Sequence, residues 1–413
     1  MKEIIENDRL WTLLHEPEGP LVPYLDSFAK LLDERGFKRH LISRQIRIVA
    51  YLSKWLLKKS ITIDLLSEEH VSSFFEEYSL MRIVARGEKA TVRRFMDFLL
   101  QLAVIRKSTT CEKLTPIQQA VMTYAHYLRE ERELSEKSII KYSPVIERFL
   151  FEGFGDEPLV FASLCAQDVI GFIKREALRL SPAGAKSATT ALRSFLSYLR
   201  YRGDIYSDLA AAVPKVPNWA MSGIPRAIAP EHIQAVLANC PRDTAIGKRD
   251  YAILMLLVHL GLRASEIVSL TLDSINWESG SVSIAGKGNK LGCLPLPTKV
   301  GEAIVDYLQD GRPASHDRAL FLRDYAPIRG LGGEETIGTI VNMALTRAKI
   351  VTTHRGAHQF RHALAVKLLQ QGATLNEIGS LLRHQHPKTT GIYAKVDFTS
   401  LRPLSLPWPG GVV

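Results

Sequence analysis

The stretch 352–397, TTHRGAHQFRHALAVKLLQQGATLNEIGSLLRHQHPKTTGIYAKVD, constrains this chain more than any other, because its local signals specify a run of short helices with converging polar residues. From Gln359 to Gln371 the pattern is helical, with Phe360, Leu364 and Leu368 on one stripe and Gly372 as terminator. His358 and Arg361 then share a helix face, since residues three apart are surface neighbours. Thr374 and Glu377 read as a capping box for a second helix that turns Ile378, Leu381 and Leu382 inward and ends at Arg383-His384. Pro387 suits the first position of a third short helix, which bears Tyr393. His358, Arg361, His384 and Tyr393 are thereby expected to face one anion.

The formal net charge of +10 favours a polyanionic partner, because Lys and Arg that neutralise phosphates release counterions. With 413 residues, 46% of them hydrophobic, the chain has ample material for two to three folded domains. Cys111, Cys165, Cys240 and Cys293 are far apart and form no CxxC pair, so neither a disulfide framework nor a zinc site is expected. They suit a reducing cytoplasm. No signal peptide opens the sequence, and no apolar run reaches the length of a membrane span. The longest, Tyr251 to Leu262, is interrupted by His259 and reads as a buried helix.

Helical periodicity covers residues 21–108 and again 115–203. A shift of 97 aligns Phe37, Ile42, Val49 and Leu52 with Leu134, Ile139, Ile146 and Phe149. A shift of 97 or 98 aligns Val71, Phe74, Phe98, Leu99 and Leu102 with Val169, Phe172, Phe195, Leu196 and Leu199. Two explanations stand: an internal duplication, or the spacing that any two helical bundles share. The division expected is an N-terminal helical domain (1–110), a second helical domain (111–204), an extended Pro-containing linker (205–226), a mixed domain (227–400) and a tail (401–413). In the mixed domain SVSIAG and GCLPLP form a hairpin with Val282 and Ile284 alternating inward and KGNKL as its turn. Ser265 could cap the helix that follows Arg263. RGLGGEET lacks the Gly-Lys-Thr ending of a nucleotide-binding loop and reads as a surface loop.

His-Gln-Phe-Arg at 358–361, Leu-Arg-His at 382–384 and Tyr393 nine residues on resemble the second signature of the tyrosine recombinases, the phage integrase family. Gly-Leu-Arg-Ala-Ser-Glu at 261–266 resembles the first. One departure is that the residue before the second histidine, commonly glycine in the family, is Arg383. The resemblance implies a mainly α fold with a small antiparallel sheet in the catalytic domain, preceded by helical DNA-binding bundles. It implies a site-specific recombinase, integrase- or transposase-like, that cuts and rejoins DNA through a 3'-phosphotyrosyl link. The implied catalytic residues are Arg263, Lys287, His358, Arg361, His384 and Tyr393, with Lys290 the competitor of Lys287 at the same hairpin turn.

Attack on a phosphodiester needs cations at the non-bridging oxygens, an in-line nucleophile and a proton for the departing oxygen. Arg263 and Arg361 offer planar, permanently charged forks, Tyr393 the nucleophile, His358 a base or hydrogen-bond partner, His384 a phosphate donor and Lys287 the proton. Glu266 fits a carboxylate that orients one of these groups. Because the covalent link conserves the bond energy, no ATP, metal or other cofactor is expected. The second bundle resembles the family's core-binding domain, and Lys137, Lys141, Lys186 and Arg193 are the cations expected near phosphates. The partners implied are double-stranded DNA and further copies of the chain, a tetramer on two paired sites, with accessory recombinases or DNA-bending proteins, all in the cytoplasm and not at a membrane. The extended strip Leu404, Leu406 and Trp408 would dock on a neighbouring subunit. Rival readings are a type IB topoisomerase, a catalytically idle DNA-binding regulator, and a metal enzyme using His354, His358 and His362 or His384 and His386. Against the last, Arg361 stands among the histidines and would repel a cation.

Overall fold

The computed structural model describes residues 9–106, 114–216, 224–286, 291–352 and 355–396. The chain divides into two compact units, residues 109–222 and residues 1–108 together with 223–413.

The first bundle consists of α1 (Leu25–Glu34), α2 (Arg39–Lys58), α3 (Glu68–Met81) and α4 (Arg86–Gln101), with a 3-10 turn at Ile63–Leu65. Its apolar stripes meet in a core that includes Phe28, Ile46, Leu52, Phe95 and Leu99. Although the sequence suggested a separate domain, this bundle belongs to the same compact unit as the mixed domain. The Ile328 N–H donates to the Arg35 carbonyl at 2.9 Å. Gly36, at φ +80°, permits that approach, because a Cβ there would sit 2.5 Å from Ile328 Cγ1.

The second bundle repeats the element order: α5 (Pro116–Glu130), α6 (Glu136–Phe154), a 3-10 turn at Phe161–Ser163, α7 (Ala166–Arg179) and α8 (Pro182–Arg202). Ile42 and Ile139, Val49 and Ile146, Leu52 and Phe149, Phe74 and Phe172, and Leu99 and Leu196 are buried at corresponding places in the two cores. The aligned pair Leu102 and Leu199 departs: α4 ends at Gln101 and leaves Leu102 48% exposed, whereas α8 continues and buries Leu199. The expected extended linker also departs, since Ile205, Leu209 and Val213 pack into the second bundle's core. Their spacing of four supplies one apolar face, which has more to gain by burial than by extension.

The mixed domain opens with α9 (Pro230–Ala238), α10 (Ala245–Leu260) and α11 (Ala264–Ser269), followed by the antiparallel strands β1 (Ile275–Asn276), β2 (Ser281–Ala285) and β3 (Leu291–Pro295) in that spatial order. Val282 and Ile284 point into the core and Ser283 away from it, the period-two alternation of a half-buried strand. Then come α12 (Thr298–Asp310), α13 (Glu334–Arg347), α14 (His358–Gln370), α15 (Leu375–Leu381) and α16 (Pro387–Thr390), and a 3-10 turn at Gly391–Val396. The apolar run of α10 is buried from Ala252 to Leu257, and α12 and α14 pack against it. This core carries α14, whose first residues form the site. Ala365, Ile378, Leu382 and Tyr393 form a smaller cluster that joins α15 and the last turn to α14. Among the described residues no helix is long and apolar enough to cross a membrane.

Candidate active site

Arg263 occupies the N-cap of α11, and Ser265 lies inside the helix, so the cap expected from Ser265 is not formed. Glu266 caps instead: one oxygen accepts the Arg263 backbone N–H at 2.8 Å while the other takes the Arg263 guanidinium at 2.6 Å. A carboxylate in the first turn also complements the helix dipole, an advantage a hydroxyl lacks. Glu266 is 3% exposed and receives a second guanidinium, that of Arg383, at 2.7 Å. Burial opposes its charge, yet the Arg263 N–H and the two guanidiniums hold its pKa below the usual carboxylate value.

Arg383 stands in the left-handed region at φ +52°. A non-glycine residue there is strained by crowding at Cβ, which accounts for glycine being common at this family position. The Arg383 side chain is anchored by Glu266 and by the Leu381 carbonyl at 3.1 Å, and a Cβ on Gly292 of β3 would lie only 3.1 Å from Arg383 Cδ. The long cation thus fills the space between α11, the turn after α15 and the hairpin.

Arg361 is 3% exposed and has no carboxylate within ion-pair distance among the described residues. Its guanidinium donates to the Gly261 carbonyl at 2.6 Å and to the Leu382 carbonyl. Gly261 ends α10 at φ +56°, where a Cβ would press at 3.0 Å on Leu364 and Leu382. Burial, then the neighbouring Arg263 charge, pushes the pKa of Arg361 down to about 10. A buried cation held only by carbonyl dipoles is costly unless an anion arrives.

Tyr393 is 1% exposed, and its hydroxyl lies 3.0 Å from His362 Nδ1. Burial raises the phenol pKa, while Arg361 draws it back. The His384 ring lies parallel to Tyr393, within 8°, at a centroid separation of 6.5 Å, and its Nδ1 is 2.7 Å from Thr390 Oγ1. His384 and His362 are each pushed down to about 4: burial first, then Arg361 and Arg263 for His384, and His358 and Arg361 for His362. His358 opens to solvent at the start of α14, and its pKa is lowered by desolvation from the surrounding protein and by the Arg361 and Arg263 charges. All three rings are therefore neutral near pH 7, able to donate through one nitrogen and accept through the other.

Arg263, Glu266, His358, Arg361, His384 and Tyr393 thus come together, while Lys287 and Lys290 lie outside the described residues, as does the strip Leu404 to Trp408. His362 contacts the phenol but was read in the sequence only as a rival metal ligand. Its position four residues after His358 put it on the same helix face and was the available signal. Among the described residues no group of three or more His, Cys, Asp or Glu is arranged to hold a metal, and His354 lies outside them.

On the second bundle Lys137 and Lys141 of α6 and Lys186 of α8 line one groove with Ser138, Ser187 and Thr190. Arg193 does not join them. Its guanidinium donates to the Val213 and Pro214 carbonyls at 2.8 and 3.0 Å, tying down the segment that packs after α8.

Paired guanidiniums, neutral imidazoles and a phenol around a buried guanidinium that meets no carboxylate among the described residues are suited to phosphoryl transfer. The model of the phage integrase family matches residues 226–400. A putative integrase/recombinase, y4rA, of Sinorhizobium fredii (strain NBRC 101917 / NGR234) is 45% identical over 413 residues, 99% of each chain. Tyrosine recombinase XerC of Anoxybacillus flavithermus is 30% identical over 284 residues, 68% of this chain and 93% of the relative. Among solved structures, the post-cleavage complex of the XerH site-specific recombinase with palindromic difH aligns at a TM-score of 0.56 and 19% identity, covering 69% of this chain and 83% of that one. A lambda integrase dimer on a COC' core site aligns at 0.52 and 14%, covering 66% and 96%. The fold is the one these structures share, and the chain belongs to the phage integrase family, the tyrosine recombinases, enzymes that cut and rejoin DNA strands.

Proposed function

We propose that the Tyr393 oxygen attacks a phosphodiester of double-stranded DNA. The phosphorus–O5' bond breaks as the phosphotyrosyl bond forms, so the 3' end is left on the protein and the 5' oxygen departs with the electron pair. The phenolic proton passes to a neutral imidazole, with His358 the base, and Lys287 returns a proton to the departing oxygen. Arg263 and Arg361 bind the non-bridging oxygens, and His384 donates a further hydrogen bond. Attack by the 5' hydroxyl of a second strand reverses the step and exchanges partners, so neither ATP nor metal enters the balance. To reach phosphorus, the phenol must leave His362 and the apolar cluster around it, and arrival of the phosphate beside Arg361 supplies a counterion that Arg361 does not find among the described residues.

The observation that carries this reading is the buried, carbonyl-held Arg361 with Arg263 and Tyr393 around it. The lysine groove of the second bundle supports contact with duplex DNA. The reading extends to a tetramer over two paired sites, assisted by accessory recombinases or DNA-bending proteins, in the cytoplasm of a cell carrying a mobile element. The test is to isolate the protein under denaturing conditions from cells containing its DNA, digest the bound DNA, and locate the nucleotide adduct by peptide mass spectrometry. An adduct on Tyr393, absent from Tyr393→Phe that still binds DNA, is expected; an adduct on another residue would overturn the assignment. Sequencing the trapped DNA identifies the site, from which nicked suicide substrates can be built.

A further inference from the structure

We propose that Arg383 is a positioning residue for the β2–β3 hairpin: its methylene stem replaces the side chain that Gly292 lacks and so fixes the strand ends from which the turn bearing Lys287 and Lys290 springs. This role rests on the reading above in which a lysine of that turn protonates the departing oxygen.

The strands pair with Val282 opposite Leu294 and Ile284 opposite Gly292. Residues directly opposite on antiparallel strands share a face. Here that face is the inner one, since Val282, Ile284 and Leu294 are all buried. It is one side chain short beside Ile284, at the end nearest the turn. Arg383 occupies the vacant place: a Cβ on Gly292 would lie 3.1 Å from Arg383 Cδ and 3.9 Å from its Cγ. Gly292 lies within the strand β3, where no left-handed turn calls for glycine. What glycine provides there is room for the close approach of another segment.

An arginine beside a phosphate site invites the reading of one more phosphate contact, and the geometry points away from it. The Arg383 side chain is only 16% exposed, and its two terminal nitrogens are engaged, one with Glu266 at 2.7 Å and the other with the Leu381 carbonyl at 3.1 Å. Its Nε is buried and meets no acceptor among the described residues. Its own carbonyl accepts from the Arg263 guanidinium at 3.4 Å. The stem is therefore held at both ends, by the backbone on one side and the ion pair on the other, and cannot swing aside. Removing it would leave a space under the Ile284 and Gly292 pair and let the end of the hairpin open. Proton delivery is sensitive to such a change, because a displacement of about 1 Å can cost a factor of about 100 in rate.

Hydrogen exchange of the free full-length protein, read by mass spectrometry on peptides covering residues 281–295, reports on the hairpin without DNA. Arg383→Ala and Gly292→Val should each speed exchange there by about 3–10-fold, the first by vacating the space and the second by crowding it. The double variant should return to within about 2-fold of wild type, because the valine then supplies the missing side chain as Leu294 does beside Val282. Arg383→Gly, which relieves the left-handed backbone, covers the case of an Ala variant that folds poorly. Unchanged exchange in the Ala and Gly variants, or a double variant worse than either single one, overturns the proposal. On a suicide substrate Arg383→Ala should form the adduct about 3–30-fold more slowly, and the loss should shrink to below about 3-fold when the 5' bridging oxygen is sulfur, which leaves without a proton. A loss equal on both substrates would assign the effect to Arg263 alone and overturn the hairpin role. Lys287→Ala and Lys290→Ala are the controls. If neither recovers with sulfur, the reading of a hairpin lysine as proton donor fails, while the exchange comparison still decides whether Arg383 holds the hairpin.

Discussion

Arg383 and Glu266 meet at 2.7 Å although they are 117 residues apart, and Arg383 does so from a left-handed backbone conformation. Because Glu266 also holds Arg263 at 2.6 Å, one buried carboxylate sets the position of two guanidiniums. Arg383 thus exchanges the easy backbone of glycine for a second cation on that carboxylate.

Two opposing effects decide what replacing Arg383 does. Arg383→Gly relieves about 1 kcal/mol of backbone strain but removes one partner of a buried carboxylate, whereas Arg383→Ala loses the pair and keeps the strain. Chemical denaturation should therefore find the Gly variant about 1 kcal/mol more stable than the Ala variant. Both should cleave a suicide substrate about 3–30-fold more slowly, because Arg263 loses part of its support. An Ala variant as stable as the Gly variant would remove the strain argument.

The hydrogen bond between His362 and Tyr393 can be measured by a double-mutant cycle. His362→Phe should destabilise the free protein by about 1–3 kcal/mol, since it leaves the phenol hydroxyl buried without a partner. In the Tyr393→Phe background the same change should cost about 1 kcal/mol less. Strict additivity would show that the bond contributes nothing.

Acid sensitivity follows from the histidines. His362 and His384 titrate near 4 in the folded protein, below the unfolded value near 6.5, so in that interval the unfolded chain binds more protons. Their contribution is complete above about pH 6.5 and is lost as pH falls towards about 4, by about 1–3 kcal/mol for each ring. Melting temperatures measured from pH 7 to 4 should fall through this window, and less steeply in His384→Asn. A parallel pH dependence in that variant would rule His384 out as a source.

Adduct formation should persist in a strong chelator, because the proposed mechanism assigns the developing charge to the permanently charged guanidiniums of Arg263 and Arg361. Cleavage that stops in chelator and returns with zinc or magnesium would assign that charge to a metal.

The local elements of the site were legible in the linear sequence: the helix read from Gln359, which starts one residue earlier at His358, the Thr374 and Glu377 capping box, Pro387 opening a short helix, and the alternating Val282 and Ile284. Each depends on neighbours within about one helical turn or one strand step, so each is written in the order of residues. The bundle cores were legible in the same way, by period. What failed at that level was the first part of the 205–226 linker, where Pro214, Pro217 and Pro225 suggested extension but Ile205, Leu209 and Val213 found a core to enter.

Three relationships came only from the tertiary structure. Arg193, a surface cation by pattern, turns to the Val213 and Pro214 carbonyls; His362, a rival metal ligand by spacing, holds the nucleophile candidate; and Arg383, an anomaly in its motif, reaches Glu266. Each depends on a partner 20 or more residues away. Periodicity and capping state which face a side chain occupies, but a hydrogen-bond partner is chosen by packing, where burial forces every polar group to find whatever acceptor or donor the fold has brought within 3 Å.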